Sequence, residues 1–196
     1  LFALPLYDGG MDLFSVLFFR YLFAIPILAI MLKLRRRDFS IKRDDITALL
    51  ILGVLFAMSS ITLFSSYNHM DAGVASTILF VYPIMVALIM FIFFKEKISK
   101  MTMACIAVAM IGIALLCKSG DGAMISMKGL LFVLGSALSY SIYIVYINKS
   151  RIKGMATIKV TMYVLTVGWF IFAIRALITG ELNIPSSEQC YLWGNV

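Results

Sequence analysis

Hydroxyl and aromatic side chains recur at helical spacing inside long apolar segments of the sequence. Ser59, Thr62 and Ser66 fall on one face of a helix, because residues three and four apart are neighbours on its surface. Two further groups stand in other apolar runs: Ser136, Ser139, Tyr140 and Tyr143 in one, Tyr82 and Pro83 in the other. Polar groups are costly in an apolar environment, so aligned ones indicate an interior face or a water-filled path.

Together these groups offer a solute neutral hydroxyls, an aromatic wall and, upstream of Pro83, a carbonyl that lacks its usual donor. Such a set suits a small polar or amphipathic solute. Hydroxyl-bearing and small residues also join helices to each other inside membranes, so helix packing is the competing interpretation for each of them. Arg20 has two interpretations as well: it extends outward to lipid headgroups, or inward as an anion-attracting or ion-pairing group.

Residues suited to catalysis or metal binding do not cluster in the sequence. The ten Asp and Glu residues all fall in loops or at helix ends, and His69 is the single histidine. The three cysteines lie far apart and match no metal-binding spacing. A lipid-modifying membrane enzyme needs such a cluster near an interface. We therefore predict no enzyme, no catalytic residue, no metal site and no cofactor, and proton coupling through a carboxylate would need a group outside these apolar runs.

The elements that carry the polar residues are predicted to be membrane-spanning helices. Hydrophobic residues make up 62% of the 196-residue chain and charged residues only 14%, with a mean hydropathy of +1.00. An ordinary soluble domain needs more polar surface than this. The net charge of +7 falls in short clusters between apolar runs, which argues against nucleic-acid binding. The fold class is therefore all-α, as a polytopic membrane protein.

Six apolar runs are long enough to cross a bilayer at a rise of 1.5 Å per residue. They are residues 13–34, 46–66, 73–94, 101–117, 128–146 and 157–179, and residues 1–7 read as the end of an earlier helix. The run 73–94 is the clearest, because it carries no charge and a basic cluster follows it. Pro83 stands near its middle, where we expect it to kink the helix.

The charges between the runs predict an orientation. The loops 35–45, 95–100 and 148–155, with their flanking residues, hold twelve Lys and Arg, against two in the loops of the opposite side. By the positive-inside rule these three loops are cytoplasmic, in a multi-pass protein of the cell membrane. When the sequence is compared with itself at a shift of 144 residues, six residues are identical. These identities align the span 13–34 and the loop before it with the span 157–179 and the loop before that span. These two spans would run in opposite directions, as an inverted repeat requires.

Residues 65–99 resemble the third-to-fourth helix region of the EamA-type transporters, a family of the drug/metabolite transporter superfamily. The matching features are the small residues of 72–76, the mid-helix Pro83 and the charged stop at 96–99. Further similarities are Arg20 in the second helix, Gly112 in the fifth and residues 128–146 at the start of the second repeat. The resemblance covers nearly all of residues 9–179.

The resemblance implies ten helices in two inverted five-helix repeats that operate by alternating access. Residues 1–118 would form the first repeat without most of its first helix, and 128–196 the incomplete start of the second. The ten-helix fold is then truncated to about six full spans. The implied function is a secondary transporter that exports small amino-acid-like, purine-like or drug-like compounds. A non-transporting membrane fragment or subunit is the alternative. The expected partners are the lipid bilayer and a small-molecule substrate, with a homodimer left open.

Overall fold

The computed structural model describes residues 13–36, 38–41, 43–96 and 126–179, together with several residues between 103 and 112. Within these ranges the regular elements are all helical, which confirms the predicted class. In chain order they are α1 (Leu13–Leu34), α2 (Arg43–Ser66), α3 (Ala72–Leu79), α4 (Tyr82–Phe94), α5 (Met127–Lys149), a 3₁₀ turn (Arg151–Gly154) and α6 (Thr157–Thr179).

Five helical stretches are long and apolar enough to cross a membrane. They are Phe14–Leu34, Asp45–Ser66, Ala72–Phe94, Met127–Lys149 and Thr157–Ile178. Five of the six predicted spans are thus confirmed in length and composition, with ends that agree within three residues. Most of the sixth prediction, 101–117, lies outside the described residues, as do 1–7 and 180–196. Many large apolar side chains are exposed on these helices, as expected where lipid is the solvent.

The predicted kink at Pro83 takes the form of a break between two helices. Beyond the end of α3, the amides of Phe80 and Val81 donate to the Thr77 and Ile78 carbonyls, at 3.1 and 3.0 Å. These bonds reach back three residues and tighten the turn into a 3₁₀ form. Pro83 follows in the first turn of α4. The missing N–H of a proline costs little there, so this residue marks a helix start.

Residue contacts divide the chain into two compact units. Unit 1 comprises residues 1–57 and 149–196, and unit 2 comprises residues 58–148. The helix α2 therefore contributes its first part to unit 1 and its remainder to unit 2. The units reflect contacts within the folded chain, and the sequence repeats 1–118 and 128–196 stay a prediction.

Unit 1 is built where α1 and the first part of α2 pack on α6. The rings of Tyr21 and Phe172 meet edge to face, with their centroids 5.3 Å apart. Two glycines allow the helices to approach this closely. A Cβ at Gly168 would lie 2.6 Å from Cε2 of Tyr21, and a Cβ at Gly53 would lie 2.5 Å from Cβ of Val167. Small residues at packed helix interfaces are typical of membrane proteins.

The connection between α1 and α2 is held against the start of α6 by two hydrogen bonds. The Lys159 ammonium donates to the Ser40 carbonyl at 2.5 Å, and the Tyr163 hydroxyl donates to the Phe39 carbonyl at 2.7 Å. The Lys159 side chain is only 9% exposed. A lysine near the end of a span commonly extends to the lipid headgroups, whereas the Lys159 ammonium holds this loop.

Unit 2 has a small apolar core in which α3 packs on α5. Its buried members are Met70, Ala75, Ile78 and Val133. The Asp71 carboxylate accepts from the amides of Gly73 and Val74 at 2.7 and 3.3 Å, which caps the start of α3. By contrast α4 contributes no buried side chain to the folded chain. The two halves of the interrupted span are therefore held very differently.

Candidate substrate-pathway residues

Ser59 and Ser136 form a reciprocal pair between α2 and α5. The Ser59 hydroxyl donates to the Ser136 carbonyl at 3.1 Å, and the Ser136 hydroxyl donates to the Ser59 carbonyl at 2.8 Å. The two hydroxyl oxygens are 3.0 Å apart, and both side chains are buried. This geometry favours the interpretation that these two serines join helices, since each hydroxyl is satisfied by the facing residue.

Thr62 and Ser66 bond to their own helix. The Thr62 hydroxyl donates to the Met58 carbonyl at 2.8 Å, and the Ser66 hydroxyl to the Leu63 carbonyl at 2.6 Å. Ser66 is fully buried and Thr62 is half-buried. A hydroxyl satisfied in this way adds no polar cost to an apolar helix and can exchange its bond for one to a solute. The role of both residues in a substrate path stays a prediction.

The predicted tyrosines come together in unit 2, beside the break in the interrupted span. The ring of Tyr82 meets that of Tyr140 edge to face at 5.0 Å, and Tyr140 is stacked on Tyr143 at 5.6 Å. Tyr82 and Tyr140 are half-buried, whereas Tyr143 is buried. The sequence places Tyr140 and Tyr143 on one helix face, and the structure adds Tyr82 from α4. The three form a continuous aromatic wall with hydroxyl-bearing edges.

Sequence reasoning missed Ser141, which contacts the break directly. Its hydroxyl lies 3.0 Å from the Tyr82 carbonyl and 2.6 Å from the Ala137 carbonyl of its own helix, and the side chain is fully buried. A signal for it was present in the sequence. Small residues at four-residue spacing, Gly129, Ala137 and Ser141 with Val133 between them, predict a packed helix face, and all four are buried.

Three of the predicted residues remain to be placed: Ser139, Pro83 and Arg20. Ser139 is half-buried on α5, and Pro83 is exposed at the start of α4. Arg20 is exposed on α1, in unit 1, so both of its interpretations stay predictions. Among the described residues no group of three or more His, Cys, Asp or Glu side chains could hold a metal ion.

Comparison with known proteins adds a family to this geometry. The family model of the EamA-like transporter family matches residues 6–117, more than half of the chain. Two similar proteins of Bacillus subtilis (strain 168) carry the descriptions uncharacterized transporter YvbV and uncharacterized transporter YdfC. The first is 29% identical over 105 residues and the second 31% over 124.

The matched parts cover 54% and 63% of this chain but only 33% and 39% of those two proteins, so the chain spans well under two thirds of their length. No solved structure matches the chain at a significant level. The family match extends across α1, α2 and the interrupted span, and the helices have the apolar character that the match requires. The chain belongs to the EamA-like transporter family, a family of non-enzymatic membrane transporters.

Proposed function

We propose that the protein is a secondary transporter that exports small polar or amphipathic metabolites by alternating access. The observation that carries the proposal is the interrupted span with its aromatic wall. Within unit 2 the break at Phe80 and Val81 stands beside Tyr82, Tyr140 and Tyr143. A helix broken at membrane depth is tolerated where it faces protein or a cavity, and transporters use such breaks at their binding sites.

The chemistry of the wall limits the solute. The polar groups contributed by these residues are hydroxyls and carbonyls, which carry no net charge, and the rings offer stacking faces. Such a surface suits amino-acid-like, purine-like or drug-like compounds. Arg20 is a separate candidate for attracting an anionic group. In this proposal Ser59 and Ser136 join α2 to α5, the helix that carries Tyr140 and Tyr143.

The larger architecture belongs to the same proposal. The complete transporter would have ten helices in two inverted five-helix repeats. Residues 1–118 of this chain would belong to the first repeat and residues 128–196 to the second. The two repeats would be the halves that rock against each other in an alternating-access cycle. The opposite senses predicted for spans 13–34 and 157–179 support this arrangement. A homodimer is compatible with it.

Growth protection tests the export function. Cells that express the full-length gene are challenged with a panel of amino acids, purines and cationic toxic compounds, and we expect protection against a subset. Tyr140→Ala should abolish the protection, while Tyr146→Ala, on the same helix and also half-buried, should retain it. Absence of protection and of flux across the whole panel would reject export, and equal loss in both variants would reject the aromatic wall as the site.

Orientation is tested independently of any substrate. In this proposal the protein resides in the plasma membrane, and the loops 35–45, 95–100 and 148–155 lie on its cytoplasmic side. Reporter fusions at Arg37 and Gly120 should therefore report cytoplasmic and exterior positions, respectively. The reverse pattern would invert the direction assigned to every span.

The second candidate is a non-transporting membrane fragment or subunit. Sequencing the DNA on both sides of the coding segment distinguishes the transporter from the fragment or subunit. An open reading frame that continues and encodes further helices supports the transporter. Start and stop codons directly at the two ends support the fragment or subunit.

A further inference from the structure

We propose that Ser141 is a positioning residue that latches α4 to α5 and releases it at low cost when α4 swings about the break at Phe80 and Val81. The inference deepens the proposed function and rests on it for its role in transport. The latch itself is a local property of unit 2 and can be tested without a substrate.

The first support is the unequal packing on the two sides of the break. On the α3 side, Ala75 and Ile78 are buried in a core with Met70 and Val133. On the α4 side, no residue from Tyr82 to Phe94 is buried by the folded chain. Burial of apolar surface and close packing anchor a helix, so α3 is fixed and α4 is held by far less.

The second support is the backbone at the break. The last amides beyond α3, Phe80 and Val81, bond three residues back, and the amides of Ile84 and Met85 then bond to the Val81 carbonyl at 3.0 and 3.2 Å. Between these sets stands Pro83, which has no N–H to give to an upstream carbonyl. Fewer backbone bonds therefore cross this point than cross a regular helix turn, and bending here disrupts little.

The third support is the pair of contacts that join the first residue of α4 to α5. The Ser141 hydroxyl lies 3.0 Å from the Tyr82 carbonyl, and the Tyr140 ring meets the Tyr82 ring edge to face. Both contacts converge on the residue next to the break. These contacts therefore act at the point from which α4 takes its direction.

The chemistry of the hydroxyl makes the latch reversible. Ser141 has one hydroxyl hydrogen and two carbonyl acceptors within reach, Tyr82 at 3.0 Å and Ala137 at 2.6 Å. When α4 moves away, the hydroxyl keeps the Ala137 carbonyl of its own helix. No donor is left unsatisfied at this buried position, which avoids the main penalty for breaking a hydrogen bond inside a membrane protein. The contact therefore directs α4 without locking it.

Hydrogen exchange of the whole protein in lipid nanodiscs tests the latch, and it is read at the backbone amides of residues 80–82 and 84–86. Ser141→Ala should accelerate exchange there about two- to threefold, the lower end of the effect of one net hydrogen bond, because the Ser141 hydrogen is shared with the Ala137 carbonyl. Ser141→Cys, a weaker donor of similar size, should fall between Ser141→Ala and the unsubstituted protein. Ser139→Ala is the matched control, because Ser139 is half-buried two residues away and should leave the exchange unchanged.

Unchanged exchange at 80–86 in Ser141→Ala would overturn the proposal, as would equal acceleration in Ser139→Ala. The proposal would also be overturned if, in both Ser141 variants, amide exchange accelerated as strongly throughout α5 as at the break, because Ser141 would then be a packing residue. Transport is measured in parallel. Faster exchange in the Ser141 variants with unchanged flux would confirm the latch and reject its part in transport. If the unsubstituted protein exports none of the compounds, the proposed function fails, but the exchange result still decides whether the latch exists.

Discussion

The close approach of α2 to α6 at Gly53 gives a prediction whose size follows from the geometry. Gly53 of α2 faces α6, and a Cβ built on it would lie 2.5 Å from both Cβ and Cγ1 of Val167 and 3.3 Å from the Val164 carbonyl oxygen. Carbon atoms in ordinary contact are about 3.5–4.0 Å apart. Val167 is β-branched and its Cβ is fixed to the backbone, so a change of rotamer cannot relieve the contact. The helices would have to separate by about 1 Å.

The change to test is Gly53→Ala, with Gly135→Ala as its control. A Cβ at Gly135 would meet nothing within 4 Å. Both substitutions gain the same intrinsic helix preference of about 1 kcal/mol, so the difference between them isolates the steric clash. Overpacking costs about 1–3 kcal/mol. For a chain of this size that corresponds to a Tm about 2–12 °C lower for Gly53→Ala than for Gly135→Ala.

Thermal unfolding of the detergent-solubilised protein, followed by circular dichroism, measures the difference. Gly135→Ala should melt at or slightly above the temperature of the unsubstituted protein. If Gly53→Ala melted as high as Gly135→Ala, the close approach of α2 and α6 at this glycine would be refuted. The same result would remove the reason for a glycine at this position.

Three further predictions concern other contacts. Removing either hydroxyl of the Ser59–Ser136 pair should lower the free energy of unfolding by about 1 kcal/mol, because each hydroxyl donates to the backbone carbonyl of the facing serine, which the other substitution leaves in place; an unchanged unfolding free energy in both Ser59→Ala and Ser136→Ala would contradict the pairing. Pro83→Ala should change transport while membrane insertion, measured by extraction of the protein from purified membranes, stays normal; unaltered transport would make this proline a tolerated helix start. Lys159→Met should free the loop at Ser40, lower the unfolding free energy by about 1–2 kcal/mol and speed tryptic cleavage of the loop severalfold; unchanged cleavage would contradict the tether.

The spans could be predicted from sequence because an apolar run of about twenty residues has few alternatives to a membrane helix. Runs such as 13–34 and 157–179 therefore match the helices almost residue for residue. The position of a helix break is harder to derive. Pro83 signals a disturbance, but a proline is equally compatible with a kink in a continuous helix and with the first turn of a new one. Only the bonds of Phe80 and Val81 decide between them.

Side-chain partners were less predictable than faces. Spacing on a helix predicts that Ser136 and Tyr140 share a side of α5, and in the structure both contact residues of facing helices. Spacing contains no information about which residue of another helix lies opposite, so neither the Ser59 partner nor the Tyr82 partner followed from it. Ser141 did not follow from the hydroxyl stripe of Ser136, because it belongs to the neighbouring face of small residues on α5.

The tether between the first loop and α6 bears on how the chain is assembled during synthesis. Ser40 and Lys159 are 119 residues apart in sequence. At a synthesis rate of about 5–20 residues per second, α6 emerges about 6–24 s after that loop. Throughout this interval α1 resides in the membrane without the helix against which Tyr21 packs. Biogenesis of this protein therefore requires the insertion machinery, or neighbouring lipid, to accommodate an incomplete α1–α2 hairpin until its late partner arrives.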